Sequence, residues 1–173
     1  MTDAVMYAKY NQAGNKAVYD ILSGMPCEER EKDRGGFYGS LSGMLRHVTG
    51  GTTYFLGMFE PALTGNAAAT NALASLPPAP EKGALDDAQW KKLGDALDAI
   101  DAAYVAMAEA LNEPDLKLPV KLDWYDGDPE SVPLAFMLSQ LLVHNTHHRG
   151  QISQALDVLK IEHEFSGIHM LPD

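Results

Sequence analysis

The chain of 173 residues has the size of one globular domain, and its hydrophobic content of 46% is sufficient for a full core. A formal net charge of −11 would repel a nucleic-acid backbone, and no run of lysine or arginine interrupts that charge. Cys27 is the single cysteine, which excludes an intramolecular disulfide and a multi-cysteine zinc site. These features predict one domain over residues 1–173 that binds no nucleic acid.

The N-terminal residues MTDAVMYAKY do not have the charged region and apolar run of a secretory signal. No segment approaches the roughly 18 consecutive apolar residues of a membrane span. We therefore expect a soluble protein of the reducing cytoplasm, without a membrane contact.

Helical periodicity is found in four long blocks, of which two lie in the first third of the chain. The first follows Thr2, a possible N-cap, and ends before Gly24 and Pro26. The second begins near Ser40 and ends before Pro61, although its four glycines lower its intrinsic helix propensity. Tertiary packing is expected to stabilise this second helix.

The other two blocks lie in the second half of the chain. The third follows Asp86 and Asp87, which suit a helix N-terminus, and its apolar residues in AQWKKLGDALDAIDAAYVAMAEAL form one stripe. The fourth starts after Ser131, with Pro133 near its first turn, and continues to about Lys160. Four such helices predict an all-α protein.

Two connectors are long. Residues 61–84 are rich in Ala, Asn and Pro, and NAAATNALASL within them can form a short helix. Between the third and fourth helices, LKLPVKLDWYDGDPES alternates apolar and polar residues, and its DGD supplies a turn. This segment predicts a short hairpin or an extended arm.

The fourth helix contains LLVHNTHHRGQISQAL at residues 141–156, which places three histidines in an otherwise apolar pattern. On a helical wheel with Leu134 as the origin, His148 lies about 40° and His144 about 80° to the same side. His147 lies about 140° away, so it is predicted to face solvent or a subunit interface. His144 and His148 therefore share one face of the helix. In the alternative arrangement, His147 takes the place of His148 as a ligand.

Two imidazoles four residues apart on a helix hold their nitrogens at the separation of adjacent ligands on one metal ion. The zincin glutamate is missing from HNTHH, which disfavours a metalloprotease. The other inward candidate is His47 in GMLRHVTGG on the second helix, beside Gly50 and Gly51, which mark a close helix approach or a flexible turn. The resulting site of His47, His144 and His148 would leave coordination positions for water or substrate.

Other polar residues near the fourth helix have simpler interpretations. His163 and His169 follow the helix in a polar tail and are predicted to lie at the surface. Arg149 and Gln151 can support the metal ligands or orient an anionic substrate, but a salt bridge or helix contact is the favoured role.

The string HNTHHRGQ at 144–151, together with SLSGMLRHVTGG on the second helix, resembles the DinB family of bacterial proteins, also called DinB/YfiT-like. The resemblance covers nearly the whole chain. It implies a four-helix bundle of the up-down-down-up type, often a homodimer, that holds a divalent metal, commonly nickel or zinc. The implied ligands are one histidine from the second helix and two from the fourth, which are His47, His144 and His148 here.

Some members of this family resemble thiol-dependent S-transferases and isomerases that use mycothiol or bacillithiol, where the metal would lower the pKa of the incoming thiol. The resemblance therefore implies a metal-dependent transferase, or a hydrolase-like protein, that activates a thiol or water against a small electrophilic substrate. The alternative is a non-catalytic metal-binding or interaction module in which the ion ties the second helix to the fourth. A third possibility is a metal-free dimeric bundle whose histidines hydrogen-bond in a polar layer.

Overall fold

The computed structural model describes residues 3–122 and 130–167, and helices dominate it. In chain order these helices are α1 (Asp3–Ser23), α2 (Cys27–Glu31), α3 (Leu41–Phe59), α4 (Ala67–Leu73), α5 (Asp87–Ala110) and α6 (Leu134–Leu159). Single 3₁₀ turns are formed by Glu60–Leu63 and Asp115–Lys117. The four long helices α1, α3, α5 and α6 are the four predicted blocks, so the all-α prediction is confirmed.

Local capping interactions set the bounds of the long helices. The Ser40 hydroxyl accepts a hydrogen bond of 3.0 Å from the backbone N–H of Gly43 and caps α3. Asp86 and Gln89 form a reciprocal capping box at the start of α5. α6 ends where Lys160 adopts a left-handed conformation with φ of 57°. The predicted helix boundaries near residues 40, 86 and 160 are therefore confirmed.

The two connectors also have the predicted local structure. α4 lies within NAAATNALASL, the part of residues 61–84 that was considered able to form a short helix. Strands β1 (Pro119–Lys121) and β2 (Ser131–Pro133) pair in antiparallel fashion, with Val120 opposite Val132. The turn predicted at 126–128 lies outside the described residues. α2 was not predicted, because five residues are too few to show a helical period.

The four long helices pack against one another around two separate apolar clusters. α1 and α3 each contact both α5 and α6. One apolar cluster surrounds Phe59, Tyr104 and Leu138, and the other surrounds Leu22 and Leu97. None of the helices within residues 3–122 and 130–167 is both long and apolar enough to cross a membrane.

Buried polar side chains occupy the middle of all four long helices, between these two clusters. On α1, for example, the first cluster reaches Ala8 and the second resumes at Val18. We call the intervening buried polar residues the polar layer: Asn11, Asn15, Thr49, Thr52, Asp101, Asn145, His148 and Arg149. Because buried polar groups need partners, this layer fixes how the helices are aligned.

Candidate metal centre

Three imidazoles meet where α3 packs against α6, at one edge of the polar layer. One ring nitrogen from each of His47, His144 and His148 lies within 4.8 Å of the other two. The Nε2 atoms of His47 and His144 are 3.0 Å apart. The structure thus brings together the three histidines that the sequence predicted as metal ligands.

The orientation of His144 is set by its neighbour Asn145. Nδ1 of His144 lies 3.0 Å from Oδ1 of Asn145. The amide nitrogen of Asn145 donates to Asn11 Oδ1 at 3.1 Å and to Thr52 Oγ1 at 3.0 Å, which leaves Oδ1 as the acceptor. Nδ1 of His144 therefore carries the proton, and the lone pair on Nε2 faces the other imidazoles.

His148 is oriented in the same way by a residue of its own helix. Its Nδ1 lies 2.7 Å from Oε1 of Gln151, three residues further along α6. An N–H on Nδ1 that donates to this oxygen leaves Nε2 as the free nitrogen of His148. Gln151 therefore acts as a support for a candidate ligand, a role considered for it beside the favoured salt bridge or helix contact.

His47 has a different neighbour, the phenol of Tyr38. The Tyr38 hydroxyl lies 2.9 Å from Nε2 of His47, and the two rings stack with centroids 4.1 Å apart. The Tyr38 ring also meets His148 edge to face at 5.2 Å. Burial raises the pKa of Tyr38, so the hydroxyl stays protonated near neutral pH.

Burial keeps the three imidazoles uncharged. Burial, together with the neighbouring His148 and His144, lowers the pKa of His47 to about 4. The pKa values of His144 and His148 are also lowered by burial, while their hydrogen bonds to Asn145 and Gln151 act in the opposite direction. All three side chains are therefore neutral near pH 7, which is the state in which imidazole binds a metal ion.

The geometry of the cluster fits a divalent ion. Nitrogen ligands about 2.0–2.1 Å from a tetrahedral ion are separated from each other by about 3.3 Å. The 3.0 Å between Nε2 of His47 and Nε2 of His144 is close to that value. Three neutral imidazole nitrogens suit zinc, nickel, iron and copper alike, and their converging lone pairs repel one another unless a proton or a cation lies between them.

His147 and His163 are not members of this cluster, although the His147 ring lies 4.9 Å from that of His148. His147 is exposed on α6. His163 is only 10% exposed and hydrogen-bonds Ser153 Oγ at 2.7 Å and the Ile161 carbonyl at 2.8 Å. Its predicted surface position is therefore wrong, because the segment after α6 folds back along that helix. His169 lies outside the described residues.

Arg149 has a helix-contact role, as favoured from the sequence. Its Nη1 donates to the amide oxygens of Asn11 at 2.8 Å and Asn15 at 3.0 Å, both on α1. The amide nitrogen of Asn15 in turn lies 3.1 Å from each carboxylate oxygen of Asp101 on α5. Asn15 thus connects a buried guanidinium to a buried carboxyl group, and burial raises the pKa of Asp101 to about 7.

The polar layer continues from these groups to the candidate centre. Asn11 Oδ1 accepts hydrogen bonds from both Arg149 and Asn145, and Asn145 contacts His144. The orientation of one candidate ligand is therefore coupled to contacts made by α1, α3 and α5.

A cavity of about 420 Å³ adjoins the centre, between the loop that precedes α3 and the C-terminal half of α6. Its lining includes Tyr38 and Gln151, the two residues that contact His47 and His148. Phe37, Met44 and Val158 supply much of the remaining wall. A small molecule in this cavity would contact Tyr38 and Gln151, the neighbours of two of the imidazoles.

Two residues of this site were missed by the sequence analysis. Asn145 lies about 20° from Leu134 on the helical wheel, at the centre of the apolar stripe, and this position of a polar residue was an available signal. Tyr38 precedes α3 in GGFYGS, where the glycines indicate a tight turn. No pattern within one helix links that turn to the histidines of α6.

The model of the DinB family matches residues 1–159. The match includes α3 and α6 and hence all three candidate ligands. No match was found among curated proteins or among solved structures. The resemblance predicted from HNTHHRGQ is thereby confirmed over most of the chain, and this protein belongs to the DinB family.

Proposed function

We propose that this protein is a metal-dependent enzyme of the thiol S-transferase or isomerase type, with one nickel or zinc ion held by His47, His144 and His148. The observation that carries the proposal is the convergence of three neutral imidazole nitrogens beside a cavity. A bound divalent ion would lower the pKa of a thiol that reaches it, so that thiolate is available near pH 7.

The remaining residues supply orientation and a binding space. The acceptors Asn145 and Gln151 hold His144 and His148 with Nε2 toward the centre. The aromatic and aliphatic walls of the cavity favour a small substrate with an apolar portion, and the side-chain amides of Gln151 and Gln154 offer hydrogen bonds. A small electrophile could thus lie against a thiolate at the centre.

The packing of the long helices supports the same family assignment. Each of α1 and α3 contacts α5 and α6, as expected if the chain adopts the up-down-down-up bundle implied by the resemblance. In such a bundle, side chains from facing helices build the metal site.

A second candidate function is a non-catalytic module in which the ion ties α3 to α6. The observation that favours it is the Tyr38 hydroxyl, which lies 2.9 Å from Nε2 of His47 and could complete a closed set of four protein ligands. A structural ion of this kind would stabilise the folded chain by binding it in preference to the unfolded chain.

Metal content tests the site itself. Protein purified without chelators is analysed for metals beside the substitutions His47→Ala, His144→Ala and His148→Ala, with His147→Ala as the matched control. We expect about one divalent ion per chain, lost in the first three variants and retained in the fourth. A wild-type protein that holds no ion and cannot be reloaded would leave the third possibility, a metal-free polar layer.

Thiol transfer tests the activity. Metal-free and reloaded protein are mixed with mycothiol, bacillithiol or another low-molecular-weight thiol and a small fluorogenic electrophile. Metal-dependent acceleration that disappears in His144→Ala supports the enzyme. A protein that holds its ion but accelerates no such reaction would instead support the non-catalytic module.

A further inference from the structure

We propose that the Tyr38 hydroxyl serves the open coordination position of this centre, where it donates a hydrogen bond to an anionic sulfur or oxygen ligand on the ion. This inference rests on the proposed function, because it requires the ion. It assigns to Tyr38 a positioning role for the fourth, exchangeable ligand. The ligand class is a thiolate or hydroxide that enters from the adjoining cavity.

The backbone that carries Tyr38 is tightly held. Gly35 and Gly39 adopt φ values of +73° and +71°, which favour glycine, and the N–H of Arg34 donates to the Gly39 carbonyl at 2.7 Å. The carbonyl oxygen of Tyr38 packs against Gly43 on α3, since a Cβ at residue 43 would lie 2.0 Å from it. The loop is therefore fixed to the same helix that carries His47.

The side chain of Tyr38 is held as well. Its ring stacks on His47 and meets His148 edge to face, with centroids 4.1 and 5.2 Å apart. Two candidate ligands therefore determine where the phenol lies. Because the ring is already held in place, little conformational entropy is lost when its hydroxyl forms a hydrogen bond at the centre.

An ion at the centre would change the partner of this hydroxyl. Its present neighbour is Nε2 of His47, at 2.9 Å, and that nitrogen would give its lone pair to the ion. The hydroxyl then requires another acceptor, because a partly buried donor without a partner is unfavourable. A ligand at the ion's fourth position is within the reach of a group so close to one of the other three.

The cavity supplies the direction from which that ligand comes. Tyr38 lines the cavity and its hydroxyl also contacts Nε2 of His47, so this side chain adjoins both the cavity and the centre. A thiol in the cavity would therefore contact the same side chain that contacts His47. Hydrogen bonds to an ionised acceptor are about twice as strong as those between neutral groups, so the hydroxyl favours the thiolate.

Cobalt(II) substitution provides a test that does not depend on activity. The chelator-treated full chain is loaded with cobalt(II), and its d–d absorption is followed while 2-mercaptoethanol or azide is added. The variants are Tyr38→Phe and, as the matched control, Tyr19→Phe, whose ring stacks on Trp90 at 5.1 Å. Circular dichroism and metal analysis establish that each variant is folded and loaded.

We expect Tyr38→Phe to bind about one cobalt per chain with an unchanged starting spectrum, and to bind the added thiol and azide about 10 to 100 times more weakly. Tyr19→Phe should match the wild type. Equal thiol and azide affinity in Tyr38→Phe and wild type would overturn the inference. An altered cobalt spectrum in Tyr38→Phe before any addition would also overturn it, since Tyr38 would then be a direct ligand.

The same experiment separates this inference from the proposed function. A wild-type protein that binds cobalt, paired with an unaffected Tyr38→Phe variant, removes only the role of Tyr38. A wild-type protein that binds no cobalt removes the metal centre, and the role of Tyr38 with it.

Discussion

Gly51 on α3 lies directly against the imidazole of His144 on α6. A Cβ at residue 51 would be 2.6 Å from Cε1 and 3.3 Å from Nε2 of that ring. The sequence left two roles open for the Gly50–Gly51 pair, and for Gly51 the structure shows the close helix approach. A side chain at this position would compete with the candidate ligand for space.

We expect Gly51→Ala to weaken zinc or nickel binding at least tenfold without unfolding the protein. The new methyl group would meet the end of a side chain, so His144 can move aside, but its Nε2 then leaves the centre. Competition with a chromophoric chelator measures the affinity, and thermal unfolding of the metal-free protein measures the stability.

Gly57→Ala is the matched control for this change. Gly57 lies on the same helix, and beyond its chain neighbours and the adjacent helix backbone a Cβ there would meet no atom of the described residues within 4 Å. Its replacement should leave the metal affinity unchanged and raise the free energy of unfolding by about 1 kcal/mol, through helix propensity. Equal metal affinity in Gly51→Ala and Gly57→Ala would show that His144 is not a ligand.

Gln151→Ala should lower the metal affinity about 10- to 100-fold, because His148 loses the acceptor that holds its Nδ1–H. Gln151 is exposed, so the free energy of unfolding of the metal-free protein should change little. Gln154→Ala, one turn away on the same cavity wall, is the control. Gln151→Glu keeps the acceptor and should restore the affinity; an affinity unchanged in Gln151→Ala would remove this supporting role.

Arg149→Met should lower the free energy of unfolding by about 3 to 5 kcal/mol, because it removes the buried cation from the polar layer. The amide oxygen of Asn15 loses the Arg149 donor, that of Asn11 keeps only the hydrogen bond from Asn145, and Asp101 loses a nearby positive charge. Urea unfolding of the metal-free protein provides the measurement.

The double variant Arg149→Met with Asp101→Asn examines the coupling in this layer. This variant removes the guanidinium and the carboxyl group together. Its decrease in the free energy of unfolding should therefore be smaller than the sum of the decreases in the two single variants. Additive effects would show that Asn15 does not couple the two groups.

The metal-free protein should lose stability as the pH falls from about 6.5 to 4, and His47 should account for part of the loss. The pKa of His47 is about 4 in the folded chain, whereas the unfolded chain has the ordinary value of 6.5. The unfolded chain therefore binds more protons in this range. Protonation therefore favours unfolding there, and stability rises again as the pH increases.

Comparison with His47→Gln isolates this contribution. The pKa of Asp101 is raised to about 7 in the folded chain, so this residue acts in the opposite direction. Its contribution to stability is fully present below the pKa that Asp101 has in the unfolded chain, and it decreases as the pH rises toward 7. Asp101 is present in both proteins, so the difference between their urea-unfolding curves cancels it. A difference in unfolding free energy that does not vary between pH 7 and 4.5 would contradict the assignment.

Much of the fold and three site residues could be predicted from the sequence. Apolar residues at helical spacing located the four long helices, and Ser40 and Asp86 marked two of their starts. The spacing of His144 and His148 placed both on one helix face, because helix geometry fixes that relation locally. The third residue, His47, followed from the inward face of α3 and from the family resemblance.

The tertiary structure decided the surroundings of those histidines. Tyr38 contacts His47 because a glycine-rich loop folds back onto α3, and Asn145 orients His144 because partners on α1 and α3 occupy its amide nitrogen. Periodicity along one helix gives the direction of a side chain but not the neighbour it meets. That neighbour depends on how the helices align, and here the buried polar layer, with contributions from all four long helices, fixes the alignment.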